Sequence, residues 1–335
     1  MSAQRREPQD LHPTFACVAE RGDRWFARVR NLVLSIRRLG GRAAGAPIVA
    51  HFVEGVDDTH RRALEDLGAD VEVVARVDPE YPYANKLRMF QTGPRPGTDC
   101  LVALDCDVAV VDDVTPFLSA ESICVKPADC DFLTEAQWRA VFMDLGVAEP
   151  PRATVTTTFH QVTYPYFNSG VVIVPATLGS SLADRWLDCI HRLGRLRARR
   201  PDIGPLALYT DQVALACALA AGPDPVRLLP VGMNFPTHVR VHPAYVAQAF
   251  PVRVIHYHDN VDARGFLVPT TYRQANAAVD RFNRERSAAL GVAYQGLGRA
   301  SATEHLKVRL RSRPWYYGRL GRRARVVGRR LVPSG

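Results

Sequence analysis

Short apolar segments alternate with segments of helical spacing in the first quarter of the chain. The mostly apolar stretches Thr14–Ala19, Pro47–Val53 and Val71–Val77 predict three strands. Between them, Asp23–Leu39 and Asp58–Leu67 carry apolar side chains at intervals of three and four residues, which predicts helices. Strands that alternate with helices indicate an α/β protein with a mostly parallel, doubly wound central sheet flanked by helices.

The same alternation continues less regularly as far as residue 260. A short helix is predicted at Asn85–Gln91. Further strands are predicted at Leu101–Leu104, Ser122–Val125, Val171–Val174, Val226–Leu229 and Val252–Tyr257. Further helices are predicted at Thr134–Leu145, Leu182–Leu193 and Asp211–Ala221. The arginine-rich residues that follow Leu193 predict a loop.

One of the predicted strands ends in two carboxylates. The run LVALDCDVAVV, Leu101–Val111, is apolar except for Asp105, Cys106 and Asp107. A buried unpaired carboxylate is costly, and residues i and i+2 on a strand point to the same face. The two aspartates can therefore share one cation at the C-terminal end of the strand, where open α/β sheets bind ligands. The alternative is that they accept hydrogen bonds from turn amides.

Polar residues near later apolar segments are candidates for the same site. They are Tyr166–Gly170, Asp211 with Gln212, Met233–Phe235, and His256 with His258. Each group has a structural alternative. The first and third can be plain loops, an aspartate in the first turn of a helix is favoured by the helix dipole, and a single histidine can be structural.

A divalent ion is the chemistry that these residue types favour. Two carboxylates and one imidazole suit Mn²⁺ or Mg²⁺, and the nitrogen ligand favours Mn²⁺. Such an ion stabilises the charge that develops on a leaving diphosphate, and Lys86 and Arg88 would add fixed positive charge nearby. The sequence contains no GxxxxGK[ST] loop and no GxGxxG after a strand, which argues against a P-loop NTPase and a dinucleotide-dependent dehydrogenase.

These motifs occur in an order that resembles a known family. NKLRMF, LVALDCDVAV, YFNSGVVIV, TDQVALACAL, LPVGMNF and VIHYHD follow one another within residues 14–260. In this respect the chain is similar to the GT-A glycosyltransferases, especially glycosyltransferase family 8. The resemblance implies a Rossmann-like GT-A fold and transfer of a hexose from a nucleotide-diphosphate sugar, commonly a UDP-sugar, to a glycan, lipid-linked or small-molecule acceptor. It also implies Mn²⁺ (or Mg²⁺) and retention of anomeric configuration.

The resemblance also implies roles for individual residues. The implied metal ligands are Asp105, Asp107 and His256. The implied catalytic residues are Gln212, near the anomeric carbon, Asp211, which holds sugar hydroxyls, and Asn168, next to the donor sugar. The candidates for binding the nucleotide sugar are Val18, Ala19, Glu20, Lys86, Arg88, Asp105, Asn168, Ser169, Asp211, Gln212 and Arg264.

Two departures from the family pattern leave alternatives open. The family follows its C-terminal histidine with a glycine and a Lys-Pro-Trp that grips the diphosphate, whereas HYHDNVDARGF has neither the lysine nor the tryptophan, and Arg264 is the substitute we expect. The loop after the first strand, AERGDRW, also differs. The alternatives are a nucleotidyltransferase that makes an activated sugar and a non-catalytic nucleotide-sugar-binding protein.

The net charge of +9 is concentrated at the C-terminus, because residues 301–335 hold ten Lys or Arg and one acid. Leu320, Ala324, Val327 and Leu331 recur at helical spacing among arginines, which predicts a basic amphipathic helix on an anionic membrane surface. A solvated, disordered tail and, less favoured, nucleic-acid binding are the alternatives. If the membrane contact is real, the acceptor is expected to be lipid-linked or part of an envelope glycan.

The remaining expectations concern domains and compartment. Residues 1–12 are predicted to be disordered, 13–290 to form the GT-A domain, and 291–335 to form the basic tail. The N-terminus lacks the apolar segment of a signal peptide, and no apolar run approaches the roughly 20 residues of a membrane span. Seven scattered cysteines without a CxxC pair indicate reduced thiols. We therefore expect a cytoplasmic protein, peripheral on the inner face of the membrane.

Overall fold

The computed structural model describes residues 7–200, 202–203, 206–247, 250–299 and 301–312. Its strands are β1 (Pro13–Ala19), β2 (Ile48–Val53), β3 (Asp70–Val74), β4 (Cys100–Asp105), β5 (Val108–Val110), β6 (Ile123–Pro127), β7 (Thr154–Val155), β8 (Val162–Thr163), β9 (Phe167–Pro175), β10 (Val226–Leu228), β11 (Phe235–Pro236) and β12 (Val254–His256). Its α-helices are α1 (Asp23–Leu39), α2 (Asp58–Glu65), α3 (Arg88–Gln91), α4 (Glu135–Leu145), α5 (Gly179–Arg199), α6 (Leu206–Ala221), α7 (Pro243–Val246), α8 (Arg273–Leu290) and α9 (Ala302–Arg311).

Seven strands form the central sheet, in the order β10-β6-β9-β4-β1-β2-β3. All neighbouring pairs are parallel except those of β9, which is antiparallel to both β4 and β6. A second sheet has the order β11-β12-β5, and β7 pairs with β8. The predicted mixed α/β architecture with a mostly parallel sheet is confirmed.

Helices cover both faces of the central sheet. Alternate residues of β4 show this, since Leu101 and Ala103 pack with α3, α4, α5 and α6, whereas Val102 and Leu104 pack with α1 and α2. A third apolar cluster joins the second sheet to α8. The seven cysteines are all free and buried, as expected for small apolar side chains.

The direction of β9 decides where one predicted motif lies. The sequence predicted that Asn168, Ser169 and Gly170 precede a strand, but all three belong to β9. Because β9 runs antiparallel to β4, its N-terminal end lies at the same edge of the sheet as the C-terminal end of β4. The polar ends of both strands therefore meet at one edge.

Two other predictions about secondary structure were wrong. The arginine-rich segment after Leu193 is helical as far as Arg199, since α5 buries Leu193 and Leu196 on one face and leaves the arginines in solvent. Near the N-terminus, Pro8–Asp10 forms a 3₁₀ helix and Leu11 is buried, so packed chain begins inside the range predicted to be disordered.

The C-terminal end of the described chain also packs on the body. In α9, Val308 is buried, and the backbone N–H of Arg240 donates to the Ser312 hydroxyl at 2.6 Å. The predicted amphipathic helix that contains Leu320 and Leu331 lies outside the described residues. Within the described part of the chain, the helices are too short or too polar to cross a bilayer.

Candidate active site

A cavity of about 790 Å³ opens at the edge of the sheet where β1 and β4 end and β9 begins. Most residues that the sequence nominated contribute to its wall: Val18, Ala19, Glu20, Lys86, Asp105, Asp107, Asn168, Ser169, Asp211, Gln212 and His256. Parallel strands place their carboxyl ends at one edge, and this is where such sheets bind ligands. The volume is typical of small-molecule sites.

One wall of the cavity holds a buried ion network that we call the lysine network: Lys86, Asp105, Ser169 and Asp211. Lys86 Nζ lies 3.2 Å from an Asp105 oxygen and 3.0 Å from an Asp211 oxygen. It also donates to Ser169 Oγ at 2.8 Å, and Ser169 in turn donates to Asp211 at 2.8 Å. Lys86 therefore has a hydrogen-bond acceptor for each of its three N–H groups.

Within the lysine network, burial and neighbouring charges shift the pKa values of Lys86 and Asp105 to different extents. Burial acts to lower the pKa of Lys86, but the carboxylates of Asp105 and Asp211 outweigh it and raise the pKa overall. For Asp105, burial raises the pKa, and the attraction of Lys86 offsets this only in part. Lys86 is thus a permanent cation that compensates two carboxylates at the edge of the sheet.

A neighbouring part of the wall contains a second group, the histidine cluster: Asp107, His256 and His258. Asp107 lies in a turn just beyond β4, so it does not share a strand face with Asp105 as the sequence predicted. His256 Nε2 lies 3.3 Å from one Asp107 oxygen, and His258 Nδ1 lies 3.8 Å from the other. One possible ligand atom from each of the three residues lies within 4.8 Å of the others.

The predicted set of metal ligands therefore differs from the observed cluster in one member. The sequence nominated Asp105 with Asp107 and His256. The carboxylate of Asp105 instead contacts Lys86, and His258 joins Asp107 and His256. His258 adopts a left-handed backbone conformation with φ of 53°, which turns its ring back toward Asp107 just after β12 ends.

A chain of amides fixes the ring of His256. Its Nδ1 lies 3.0 Å from Asn234 Oδ1, and Asn234 Nδ2 donates to Asn168 Oδ1 at 2.9 Å. Because Nδ1 faces an oxygen acceptor, it carries the proton, and the Nε2 that faces Asp107 has the free lone pair in the neutral ring. Supporting hydrogen bonds of this kind orient metal-ligating histidines.

Gly170 makes this arrangement sterically possible. A Cβ added at Gly170 would lie 2.7 Å from His256 Cε1 and 3.0 Å from Asn168 Oδ1, which is closer than side chains tolerate. The glycine of the YFNSG motif is therefore required by the close approach of the imidazole to β9.

The charges around Asp107 favour its ionised form. Burial acts to raise its pKa, but His256, His258 and the guanidinium of Arg28 outweigh burial and lower the pKa overall. The pKa of His256 is raised, because its attraction to Asp107 exceeds the effect of burial. The pKa of His258 is lowered by burial and by the neighbouring His256, so its ring is neutral near pH 7.

Two nominated residues lie elsewhere. Arg88 donates to the backbone oxygen of Ala75 at 2.8 Å and to the Gln91 side chain at 2.9 Å, and it does not line the cavity. Arg264 pairs with Asp262 at 3.3 Å and lines a separate small cavity, so it cannot replace the missing family lysine in this conformation. Their positions in the sequence suggested that both arginines lie near the site, but their side chains bind partners outside the cavity.

Sequence reasoning missed several residues of the cavity wall. Trp25 and Arg28 on α1, Asp129 after β6, and His238 all contribute to it. A signal existed for Arg28, since it falls on the apolar stripe of α1 and a cation on that stripe is unusual. For Asp129 and His238 the sequence offers no local signal.

Comparison with known proteins decides the family. Residues 17–222 match the Rhodobacterales glycosyltransferase domain, which covers more than half of the chain. The chain belongs to this glycosyltransferase family. The sequence-based resemblance to GT-A glycosyltransferases is thereby confirmed, and the protein is a glycosyltransferase. No curated protein matches the sequence.

Solved structures support the fold. A galactosyltransferase LgtC in complex with donor and acceptor sugar analogs has a TM-score of 0.50 and 18% identity, covering 88% of this chain and 99% of that chain. An active-site mutant of LgtC has a TM-score of 0.48 and 16% identity, covering 82% and 95%. The apo structure of the bifunctional glycosyltransferase WbbM has a TM-score of 0.45 and 12% identity, covering 74% and 46%. The likeness to the first of these confirms the GT-A fold.

Proposed function

We propose that this glycosyltransferase uses a nucleotide-diphosphate sugar, of which a UDP-sugar is the first candidate, and that it depends on Mn²⁺ or Mg²⁺. The observation that carries the proposal is the histidine cluster, which lies in the wall of the same cavity as Gln212, Asn168 and the end of β1. LgtC, which shares the fold, has been solved with donor and acceptor sugar analogs. Donor class and metal dependence are what this likeness suggests for our chain.

The residues present fit a divalent ion. Asp107 offers an ionised carboxylate, His256 offers a ring oriented by Asn234, and His258 Nε2 is buried without a hydrogen-bond partner among the described residues. Since Nδ1 of His258 is the nitrogen that faces Asp107, the fit rests on the donor set, one ionised carboxylate and two imidazoles within 4.8 Å of one another. Asp105 stands beside this cluster and would complete the set by exchanging part of its contact with Lys86. The nitrogen donors favour Mn²⁺ over Mg²⁺.

When bound, the ion would supply positive charge for the diphosphate as it leaves the sugar. Residues of the chain would bind the other parts of the donor. The end of β1, Val18–Glu20, would line the base, and Asn168 would lie next to the donor sugar. These roles remain predictions of the family resemblance.

Asp211 and Gln212 differ in a way that bears on their roles. The Asp211 carboxylate already accepts hydrogen bonds from Lys86, Ser169 and Tyr81, whereas the described residues provide no hydrogen bond to the Gln212 side chain, which lines the cavity. We therefore assign Gln212 to contact the donor sugar near its anomeric carbon. Asp211 would position Lys86 and bind sugar hydroxyls through its remaining acceptor capacity. Retention of anomeric configuration is proposed on the family resemblance alone.

The acceptor proposed is a lipid-linked or envelope glycan, with the basic segment 313–335 on an anionic membrane surface. The support is the density of arginine in that segment and its apolar positions at helical spacing. Sedimentation with anionic vesicles tests this surface. The full chain should sediment and a chain ending at residue 312 should not, whereas equal sedimentation would overturn it.

Donor hydrolysis tests the proposed reaction directly. The protein is incubated with UDP-sugars and GDP-sugars, with and without Mn²⁺, and each product is measured. We expect slow, Mn²⁺-dependent release of UDP or GDP. Release of pyrophosphate when a sugar phosphate and a nucleoside triphosphate are supplied would instead indicate a nucleotidyltransferase. Donor binding with no turnover, even with acceptors, would indicate a binding protein.

A further inference from the structure

The cations in the cavity wall are not equivalent. Arg24, Arg28, Lys86 and Arg311 are the Lys and Arg side chains that line it. The first three have carboxylate partners: Arg24 lies 2.5 Å from Asp259, Arg28 lies 3.7 Å from Asp107, and Lys86 holds the lysine network together. For Arg311, no ion pair or hydrogen bond of the guanidinium occurs with any residue in the described ranges.

The position of Arg311 is set by its helix. Arg311 is the last residue of α9, and Val308, one turn earlier, is buried against the body. The next residue, Ser312, accepts a hydrogen bond from the backbone N–H of Arg240 at 2.6 Å. These contacts hold α9 in place on both sides of Arg311, so its half-buried side chain is directed to the cavity by packed structure.

Arg311 lines the same cavity as the three residues of the histidine cluster and the neighbouring His238. An unpaired, partly desolvated guanidinium beside a candidate metal site favours an anionic ligand that the metal would also contact. A phosphate group has this chemistry, since a guanidinium can bind two of its oxygens at once.

We propose that Arg311 binds the diphosphate of the nucleotide donor, so that α9 completes the donor site. The inference rests on the proposed function. It assigns the diphosphate contact to the C-terminal segment instead of to Arg264, and it extends the working glycosyltransferase domain to residue 312. In this arrangement the helix that immediately precedes the basic segment 313–335 is part of the donor site.

The test compares ligands that carry phosphate with ligands that do not, in the full-length protein with saturating Mn²⁺. Calorimetric titrations use UDP, GDP, inorganic pyrophosphate, and the nucleosides uridine and guanosine. The variants are Arg311→Ala, Arg311→Lys and, as the matched control, Arg309→Ala, which removes an exposed arginine from the same helix. Thermal unfolding of each variant checks that α9 still packs.

We expect Arg311→Ala to weaken binding of the nucleoside diphosphate and of pyrophosphate by about 10- to 100-fold, the usual range for a charge-assisted hydrogen-bonded contact. Nucleoside affinity should not change. Arg311→Lys should retain part of the affinity, and Arg309→Ala should resemble the wild type.

Three outcomes would overturn the inference. Diphosphate affinity in Arg311→Ala could equal that in Arg309→Ala, nucleoside affinity could fall by the same factor as diphosphate affinity, or the wild type could bind neither diphosphates nor pyrophosphate. Failure of the proposed function is distinguishable from these. A wild type that binds pyrophosphate but no nucleoside diphosphate would reject the donor class, while the pyrophosphate titration would still decide the role of Arg311.

Discussion

Asp105 and Asp107 are two residues apart in sequence and line the same cavity, but their side chains have different partners. Asp105 lies in the lysine network, where a buried ammonium group compensates it permanently. Asp107 lies in the histidine cluster, where two imidazoles and Arg28 surround it and one imidazole nitrogen has no partner among the described residues.

Asp105 is compensated by the fixed charge of Lys86, whereas the imidazoles around Asp107 can exchange a proton for a metal ion. Lys86 is charged at every physiological pH and lies between two buried carboxylates, so its removal would leave both of them without their cation. An imidazole nitrogen can lose its proton and coordinate a metal ion through the same lone pair. The histidine cluster is therefore the part of the cavity wall that can accept a ligand. Substitutions in the lysine network should therefore lower stability, and substitutions in the histidine cluster should lower metal binding.

The largest effect is expected from Asp107→Ala. Removal of this carboxylate should abolish Mn²⁺-dependent donor binding and lower kcat/KM by at least about 10³-fold, because a bound ion supplies several kcal/mol of charge stabilisation. Calorimetry with Mn²⁺ and UDP-sugars measures the binding. Asp112→Ala is the matched control, since Asp112 pairs with Arg253 at 3.6 Å outside the cavity. Unchanged Mn²⁺-dependent binding in Asp107→Ala would remove the distinction between the two groups.

Lys86→Met should act mainly on stability. It leaves Asp105 and Asp211 near each other without their cation, and we expect a loss of about 3 kcal/mol in the free energy of unfolding, as for other broken buried ion pairs. Urea unfolding monitored by circular dichroism measures it. The same measurement on Asp107→Ala should show a smaller loss, and equal losses would mean that both groups are structural.

Gly170→Ala should give the smallest effect and the most selective one. The new methyl group would lie 2.7 Å from His256 Cε1 and displace the ring, so Mn²⁺ affinity should fall about 10-fold, as when the support of a metal ligand is removed. Gly194→Ala is the control, because a Cβ there meets nothing within 4 Å. It should leave Mn²⁺ affinity unchanged and stabilise α5 by about 0.5–1 kcal/mol. Equal Mn²⁺ affinity in the two variants would contradict the proposed role of His256.

The local pattern of apolar and polar residues was sufficient to predict much of the scaffold. The bounds of α1 were predicted to the residue, and β1, β2, β4 and α4 were each predicted to within one or two residues. These elements have strong periodicity and a core position that favours it. The nominated residues at the ends of β1 and β4 meet in one cavity because these parallel neighbours bring their carboxyl ends together. His256 reaches the same cavity from β12 of the second sheet.

Side-chain partners could not be obtained in this way. Spacing along a strand suggested that Asp105 and Asp107 share one face, but Asp107 follows the end of β4 and contacts His256 instead. Arg88 and Arg264 were nominated because they are basic and near the motifs in sequence. Their backbone and carboxylate partners hold them outside the cavity.

The sequence by itself determined the alternating α/β scaffold, the family, and the chemical types of residue that collect at one edge of the sheet. Those properties depend on short-range periodicity and on motif order. Only the tertiary structure decided that β9 runs antiparallel, that Lys86 lies against Asp105, and that Arg311 reaches the cavity from the far end of the chain. Contacts between residues so distant in sequence are set by packing and by the pairing of buried charges, and neither leaves a local pattern.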